Sequence, residues 1–434
     1  MKRLDFASRG FFKRLGVTLR SDTRGDRLAD DVRGIIRGVE KDGDRAVAEY
    51  TEKFDRVRLA PGRFRVGRDE LLAGLRALAP AERRALREAI ACVKDYNRRN
   101  LPKRWTARNP HGAWVGESFF PIQRVGVYVP GGRMPLLSTA IMTLTLAKIA
   151  KVPEIAAFTP PGPEGKLPDG TLAAISLAGA TEVYRVGGVQ AIAAMTVGTR
   201  TIPAVDKIFG PGNAYVVEAK RQVFGRVGVD LLPGPSEVMV IADESARPEW
   251  VAADLLSQAE HGHGGRIFLV TPFPDLIQAV ATELRRQSRG LRHRKTIEST
   301  LSENFFAIRV GDCEQAAEVA NFVAPEHLEL HVTKKWIMRY RRSITTAGAV
   351  LEGPWTPTVL GDFTAGPSHV LPTGRAGRFF SGLRVDDFMR RTSRIAYDEK
   401  SLEKALSVVK TFSELEDLDA HGASAAIRFS QAGD

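Results

Sequence analysis

Cysteine is nearly absent from this 434-residue chain, where Cys92 and Cys313 are the only two. They lie far apart and form neither a CxxC nor a zinc-finger spacing. That excludes a disulfide framework and a cysteine-built zinc site as organising features. Both are expected to be buried thiols in the reducing cytoplasm. Long apolar runs are missing as well, none approaching the roughly 18 residues that a membrane span requires. The opening MKRLDFASRGFFKRLGV breaks any apolar segment with charge and does not read as a signal peptide. No GxGxxG follows a predicted strand, and GPGNAY lacks the third glycine, so residue spacing alone does not name a dinucleotide. Acidic residues are in deficit, 51 against 63 Lys and Arg, for a formal net charge of +12. The excess gathers in LRRQSRGLRHRK (284–295) and RYRR (339–342). The first falls in a predicted loop without aromatics for base stacking, and no nucleic-acid motif accompanies either. A solvated basic face is expected, with no nucleic-acid partner and no membrane.

What is present is a large apolar complement, 43% of residues, enough for more than one core. The chain length suggests two or three domains. The first hundred residues read as helical, with apolar positions three to four apart in segments such as AERRALREAIACVKDYNRR. From Arg124 the pattern changes. Short Val- and Ile-rich runs (RVGVYVP, EIAAFTP, TEVYRV, VDKIFG) alternate with helix-like segments (PLLSTAIMTLTLAKIAK, TLAAISLAGA, GVQAIAAMTVGT, NAYVVEAKRQVFG). A second series begins at SEVMVIAD and continues through RIFLVTP, NFFAIRV and AGAVLEG. Such alternation predicts an α/β protein with two parallel sheets. The stretch from about Arg378 is less regular and ends in an acidic, then helical, tail.

The segment LLSQAEHGHGG (255–265) carries two of the eight histidines. Ser245 is the predicted N-cap of the helix leading into it, Pro248 suits its first turn, and Gly262 supplies its stop. Gln258 and His261, three apart, then share one face of the last turn, where the helix dipole favours a cation. A polar surface turn explains the same pair, and two ligands do not complete a metal site. Further candidates lie later: Asp362 and His369 in GDFTAGPSHVLPT, His421 in DLDAHGAS, and Glu326, His327 and His331 in APEHLELH. Six of the eight histidines, all but His111 and His293, thus fall in four short polar segments. Loops that follow parallel strands are where α/β proteins build their sites. In Glu326–His327 an imidazole suited to taking a proton from an alcohol stands beside a carboxylate able to activate water. A strand opening packed against surface arginine is the plain alternative.

Taken together these stretches resemble the histidinol dehydrogenase family. The likeness runs in order through RVGVYVPGG, VGGVQAIAAMTVGT, VDKIFGPGNAYV, AKRQVFG, GPSEVMVIADE, DLLSQAEHG, APEHLEL, GDFTAGPSHVLPT, RFFSGLRVDDFMRR and EDLDAH. The resemblance implies two Rossmann-like parallel-sheet domains with a smaller N-terminal helical segment and a C-terminal tail. The implied boundaries are a helical segment 1–25, a substrate and zinc domain of 26–127 with 237–380, an NAD-binding domain 128–236, and a tail 381–434. It implies oxidation of L-histidinol through the aldehyde to L-histidine, the last steps of histidine biosynthesis, with two NAD and one zinc per site. Zinc ligands would be Gln258, His261, Asp362 and His421, and the acid–base residues Glu326 and His327. Ser236, His327 and Glu416 would contact substrate together with the ligand set, and Tyr128, Gln190 and Asn213 would contact NAD. It further implies a cytoplasmic homodimer whose tail, through Glu416 and His421, completes the partner's site.

Three positions depart from the family pattern: Leu146 and Lys151 stand where Pro and Gly are usual, and Ser368 replaces Asn. None is an implied ligand or acid–base residue, but they leave open a related NAD-dependent zinc dehydrogenase acting on another small polar alcohol. Acidic Glu416, facing the expected substrate amine, favours histidinol. A zinc hydrolase using Glu326 as base would act without NAD, which Tyr128, Gln190 and Asn213 argue against. His263 is expected to be a turn residue outside the site, and His369 a neighbour of it without an assigned role.

Overall fold

A computed structural model of the chain describes residues 1–19, 26–131, 136–262 and 264–430. One unit comprises residues 1–100 and 122–388, and a smaller one joins 101–121 to the chain from 389 onward.

The larger unit is built on two wholly parallel sheets. The first has six strands in the order Lys2–Asp5, Phe305–Arg309, Arg266–Thr271, Glu237–Ala242, His327–His331, Ala349–Glu352. The second has five, in the order Glu182–Tyr184, Glu154–Phe158, Arg124–Tyr128, Lys207–Phe209, Gly228–Val229. Their central strands are buried on both faces, Glu237–Ala242 at every residue. That is why they read as continuous apolar runs rather than alternating ones. The expected α/β class with two Rossmann-like sheets is the one found.

The helices return antiparallel to the strands and bury their apolar faces on them. Pro248–Ala259 packs Val251, Ala252, Leu255 and Leu256 against Val238, Val240 and Ala242. On the opposite face, Leu328 and Leu330 join Met239, Ile241 and the helix Cys313–Val323. Both cysteines are free; Cys313 is buried and Cys92 partly so.

Several local expectations are corrected. The N-terminal segment is not wholly helical, because Lys2–Asp5 is an edge strand pairing in parallel with residues 306–309. Four residues carry no periodic signal; only a partner about 300 positions away makes them a strand. Residues 32–64 bury their apolar side chains with the five-stranded sheet, beside Tyr128, Ala156, Phe158 and Ile192. Ser245 does not cap its helix: Arg247 holds that position, and the Ser245 hydroxyl donates to Asp243 at 2.5 Å. The basic run 284–295 is not one loop but spans the end of the helix Pro274–Ser288 and the start of Arg294–Asn304.

In the smaller unit, Met389–Ala396 pairs antiparallel with Trp114–Pro121, which pairs antiparallel with Trp105–Arg108. The helix Glu399–Leu415 follows, capped by Asp398, whose side chain accepts from the Ser401 N–H at 2.9 Å. The short helix Asp419–Ala426 packs back on it, with the Gly422 N–H donating to the Ser413 hydroxyl at 2.9 Å. No helix among the described residues is long and apolar enough to cross a membrane.

Candidate active site

Glu326 and His327 stand where the chain enters the His327–His331 strand, at the amino edge of the six-stranded sheet. Ser236 stands likewise just before Glu237–Ala242. The helix between strands runs back toward this edge, so Gln258 in its last turn and His261 just beyond it arrive there too. Asp362 comes on the short helix Thr358–Phe363, and His369 on the segment after it. Loops following the strands were the expected location. In this sheet the site gathers instead at the opposite edge, because a returning helix delivers its C-terminal residues to the start of the strands.

The Glu326 carboxylate is buried, and its Oε2 accepts from the Glu237 N–H at 2.9 Å and lies 3.8 Å from His327 Nδ1. Burial, with the nearby Glu237 and Asp362 charges, pushes its pKa up to about 8, against the opposing hydrogen bonds from the Glu237 N–H and Ser236. Burial has the reverse effect on imidazoles, whose charged form is the protonated one. It takes His327 down to about 4, with His261 also acting to lower it. His369 likewise falls to about 4, through burial and the neighbouring His327 and His261. His369 Nδ1 is 3.6 Å from Asp362 Oδ1. Asp362 itself is raised to about 6 by burial. His261 reaches the surface, yet enough protein surrounds its ring to lower its pKa. The result is a group of neutral imidazoles beside two carboxyls, suited to moving protons near neutral pH.

Three buried polar atoms here lack hydrogen-bond partners: Gln258 Nε2, His327 Nδ1 and His369 Nε2. Buried polar atoms are ordinarily paired. An amide that finds no partner and imidazoles held neutral are what a cation site needs, since a metal takes the unprotonated nitrogen and the amide oxygen. The unpartnered amide of Gln258, the neutral imidazole of His261 and the carboxyl of Asp362 are of the donor chemistry that a divalent ion takes.

Tyr128, Gln190 and Asn213 stand at the carboxyl edge of the other sheet. Tyr128 ends its strand, and its hydroxyl accepts from the Gly188 N–H at 3.2 Å; burial raises its pKa to about 12, so it remains a phenol. Gln190 lies in the first turn of Gly188–Val197, wholly buried, with Nε2 3.5 Å from Asp55 and Oε1 unpartnered. Asn213 caps Ala214–Val223, accepting from the Tyr215 and Val216 N–H groups at 3.0 and 3.2 Å. Two helix N-termini opening at one sheet edge form an arrangement able to receive phosphate, a signal that the missing GxGxxG does not carry. Below them the buried Lys220 ammonium donates to Asp230 and, at 2.9 Å, to the Gly210 carbonyl. Gly210 has φ 105°, and a Cβ there would meet the Tyr128 carbonyl.

Glu416 and His421 belong to the smaller unit, both exposed. His263 lies outside the described residues. Of the three departures, Leu146 is buried within the helix Leu137–Ile149, and Ser368 is buried beside His369. Lys151 has φ 63°, the left-handed conformation for which glycine is preferred. Sequence reading named His331 but passed over Asp254 and Glu329, which join it in a buried polar group whose ligating atoms lie within 4.8 Å of one another. Alternation along HLELH was its one available signal.

Two parallel sheets, one with the buried Glu326–His327 pair at its edge and the other with two helix N-termini at its edge, are the architecture of an α/β enzyme. The chain belongs to the histidinol dehydrogenase family, whose profile matches residues 18–429. It is 43% identical over 401 residues to a histidinol dehydrogenase of Moorella thermoacetica, covering 92% of this chain and 94% of that protein. It is also 43% identical over 392 residues to that of Heliobacterium mobile, covering 90% of each. The crystal structure of histidinol dehydrogenase from Elizabethkingia anophelis superposes with a TM-score of 0.94 at 32% identity, covering 99% of this chain and 98% of that one.

Proposed function

We propose that this chain oxidises L-histidinol through the aldehyde to L-histidine, using two NAD in succession and one zinc per site. The observation that carries the reading is the buried Glu326–His327 pair beside Gln258, His261 and Asp362, in a chain of this family. His327, neutral because burial holds its pKa near 4, takes the hydroxyl proton as hydride leaves the carbinol carbon for the nicotinamide. Glu326 then removes a proton from the water that adds to the aldehyde, and the hydrate gives its hydride to the second NAD as His327, its first proton released, takes the hydroxyl proton. Zinc held by Gln258, His261, Asp362 and the partner's equivalent of His421 would orient the substrate imidazole and amine and stabilise the Glu326 carboxylate. Ser236 and Glu416 contact substrate, and Tyr128, Gln190 and Asn213 line the NAD cleft.

The protein works in this reading as a cytoplasmic homodimer in which Glu416 and His421 complete the partner's site. Exposed apolar side chains on the tail, Phe412 at 58%, Leu415 at 76% and Ile427 at 67%, support a covered surface there. Mixing a His421→Ala variant with a His327→Ala variant then restores one working site per heterodimer. No recovery on mixing, after subunit exchange is verified, refutes the shared site.

The first test is NADH formation by the zinc-loaded protein with L-histidinol and excess NAD, followed to completion. Two NADH per histidinol supports the reading. No NADH from folded, zinc-containing protein moves it to a related dehydrogenase of another small polar alcohol. Ser368, buried next to His369, is the departure that favours such a change of pocket.

A further inference from the structure

The strand His327–His331 is buried at every position, yet one of its faces is entirely polar: His327, Glu329 and His331. The first belongs to the candidate site, and the other two have no part in the reaction described above. His331 Nε2 lies 3.0 Å from Asp254 Oδ2 and 3.3 Å from Glu329 Oε2. The second Glu329 oxygen accepts from the Thr358 N–H at 2.6 Å and from the Thr358 hydroxyl at 2.5 Å. Three elements are thereby tied at one point: the helix Pro248–Ala259 through Asp254, the strand through Glu329 and His331, and the helix Thr358–Phe363 through Thr358.

Each tie sits one structural repeat from a working group. Asp254 is four residues before Gln258 and Thr358 four before Asp362, so each pair is stacked on one helix face. Glu329 is two residues from His327, hence on the same face of the strand. We propose that Asp254, Glu329 and His331 are positioning residues that hold Gln258, His327 and Asp362 in register. The inference rests on the reading of those three as ligands and acid–base groups.

Energetics favour this role over a purely stabilising one. A buried charged group is often no more stable than apolar residues of equal volume, so what it adds is directional geometry. Burial acts to lower the His331 pKa, but its hydrogen bonds to Asp254 and Glu329 outweigh that and push it up to about 9. Both contacts converge on Nε2, so one ring N–H is shared between the two carboxylates and ties the ring into a hydrogen-bonded clamp, although the three side chains are close enough to bracket an ion.

Three variants test the clamp. Glu329→Gln still accepts from Thr358 but puts an amide donor against His331; Thr358→Val removes one hydroxyl bond; Thr358→Ser restores it. The expected result is a kcat lower by about tenfold or more in Glu329→Gln. Thr358→Val falls in the same direction and Thr358→Ser stays near wild type. The KM for NAD does not change, because the NAD groups stand on the other sheet. Amide hydrogen exchange becomes faster at residues 255–262 and 358–363 in both impaired variants. Wild-type kcat and exchange in folded Glu329→Gln overturns the proposal, as does the same result in Thr358→Val if the first variant does not fold. A kcat loss matched by a rise in NAD KM also overturns it, and so does loss of a second bound zinc from Glu329→Gln. Should the wild type fail to oxidise histidinol, the functional reading falls. Exchange then decides the clamp alone: faster exchange supports it and unchanged exchange overturns it.

Discussion

Replacing Glu326 with glutamine should make the metal-free protein more stable at neutral pH, and by an amount that grows with pH. The carboxyl is 6% exposed, and its pKa is raised from 4.5 to about 8, chiefly by burial. Between these values the folded state keeps a proton that the unfolded chain has released. Wild-type stability therefore declines as pH rises through the window and levels off above about 8. At pH 7.5 the window spans 7.5 − 4.5 = 3 units, which at about 1.36 kcal/mol per unit gives a ceiling of about 4 kcal/mol. At pH 5.0 it spans half a unit and gives under about 1 kcal/mol. Glutamine is neutral throughout, and its carbonyl can accept the Glu237 N–H in place of the carboxylate. The neighbouring Asp362 titrates in both proteins and largely cancels in the comparison. Urea unfolding in the presence of chelator, at pH 5.0 and 7.5, measures the difference. A stability gap no wider at pH 7.5 than at pH 5.0 would falsify the buried-acid reading of Glu326. In the zinc-loaded enzyme the same variant should lose aldehyde oxidation more than alcohol oxidation, and equal loss in both steps argues against its role toward water.

Lys220→Met leaves Asp230 buried without its cation and frees the Gly210 carbonyl; the expected cost is about 3–5 kcal/mol, seen as a lower unfolding midpoint. Unchanged stability would mean the pair is not buried as described. Asn213→Ala removes a helix cap worth about 1 kcal/mol, so a small stability loss is expected. If Asn213 also meets NAD, the KM for NAD rises with kcat largely kept, and a normal KM confines the residue to capping. Gln258→Ala should weaken zinc retention in chelator competition, with a stability loss in the metal-free protein limited to its buried methylenes, since the Gln258 Nε2 has no hydrogen-bond partner to lose. Equal zinc affinity in the variant would remove Gln258 from the ligand set.

The α/β class was legible because buried parallel strands leave an unmistakable record. Past their charged first residues, RVGVY, EIAAF and EVMVIA are apolar, and each is followed by a helical period. The site was legible only in fragments. LLSQAEHG and APEHLEL each display polar groups where a fold must explain them, but nothing in their spacing says that they meet. Their union is a property of the sheet: the helix carrying Gln258 returns to the edge at which the strand carrying His327 begins. Lys2–Asp5 shows the limit most plainly, since a strand of four residues is defined by its partner and not by its own pattern. Ser245 shows another, a good capping residue whose hydroxyl went to Asp243 when the helix began two residues later. Local composition and periodicity thus determined the class of fold and the residues worth watching. Burial decided their chemistry, because the same carboxyl and imidazole that titrate near 4.5 and 6.5 in water stand near 8 and 4 once the closed sheet edge has taken the water away.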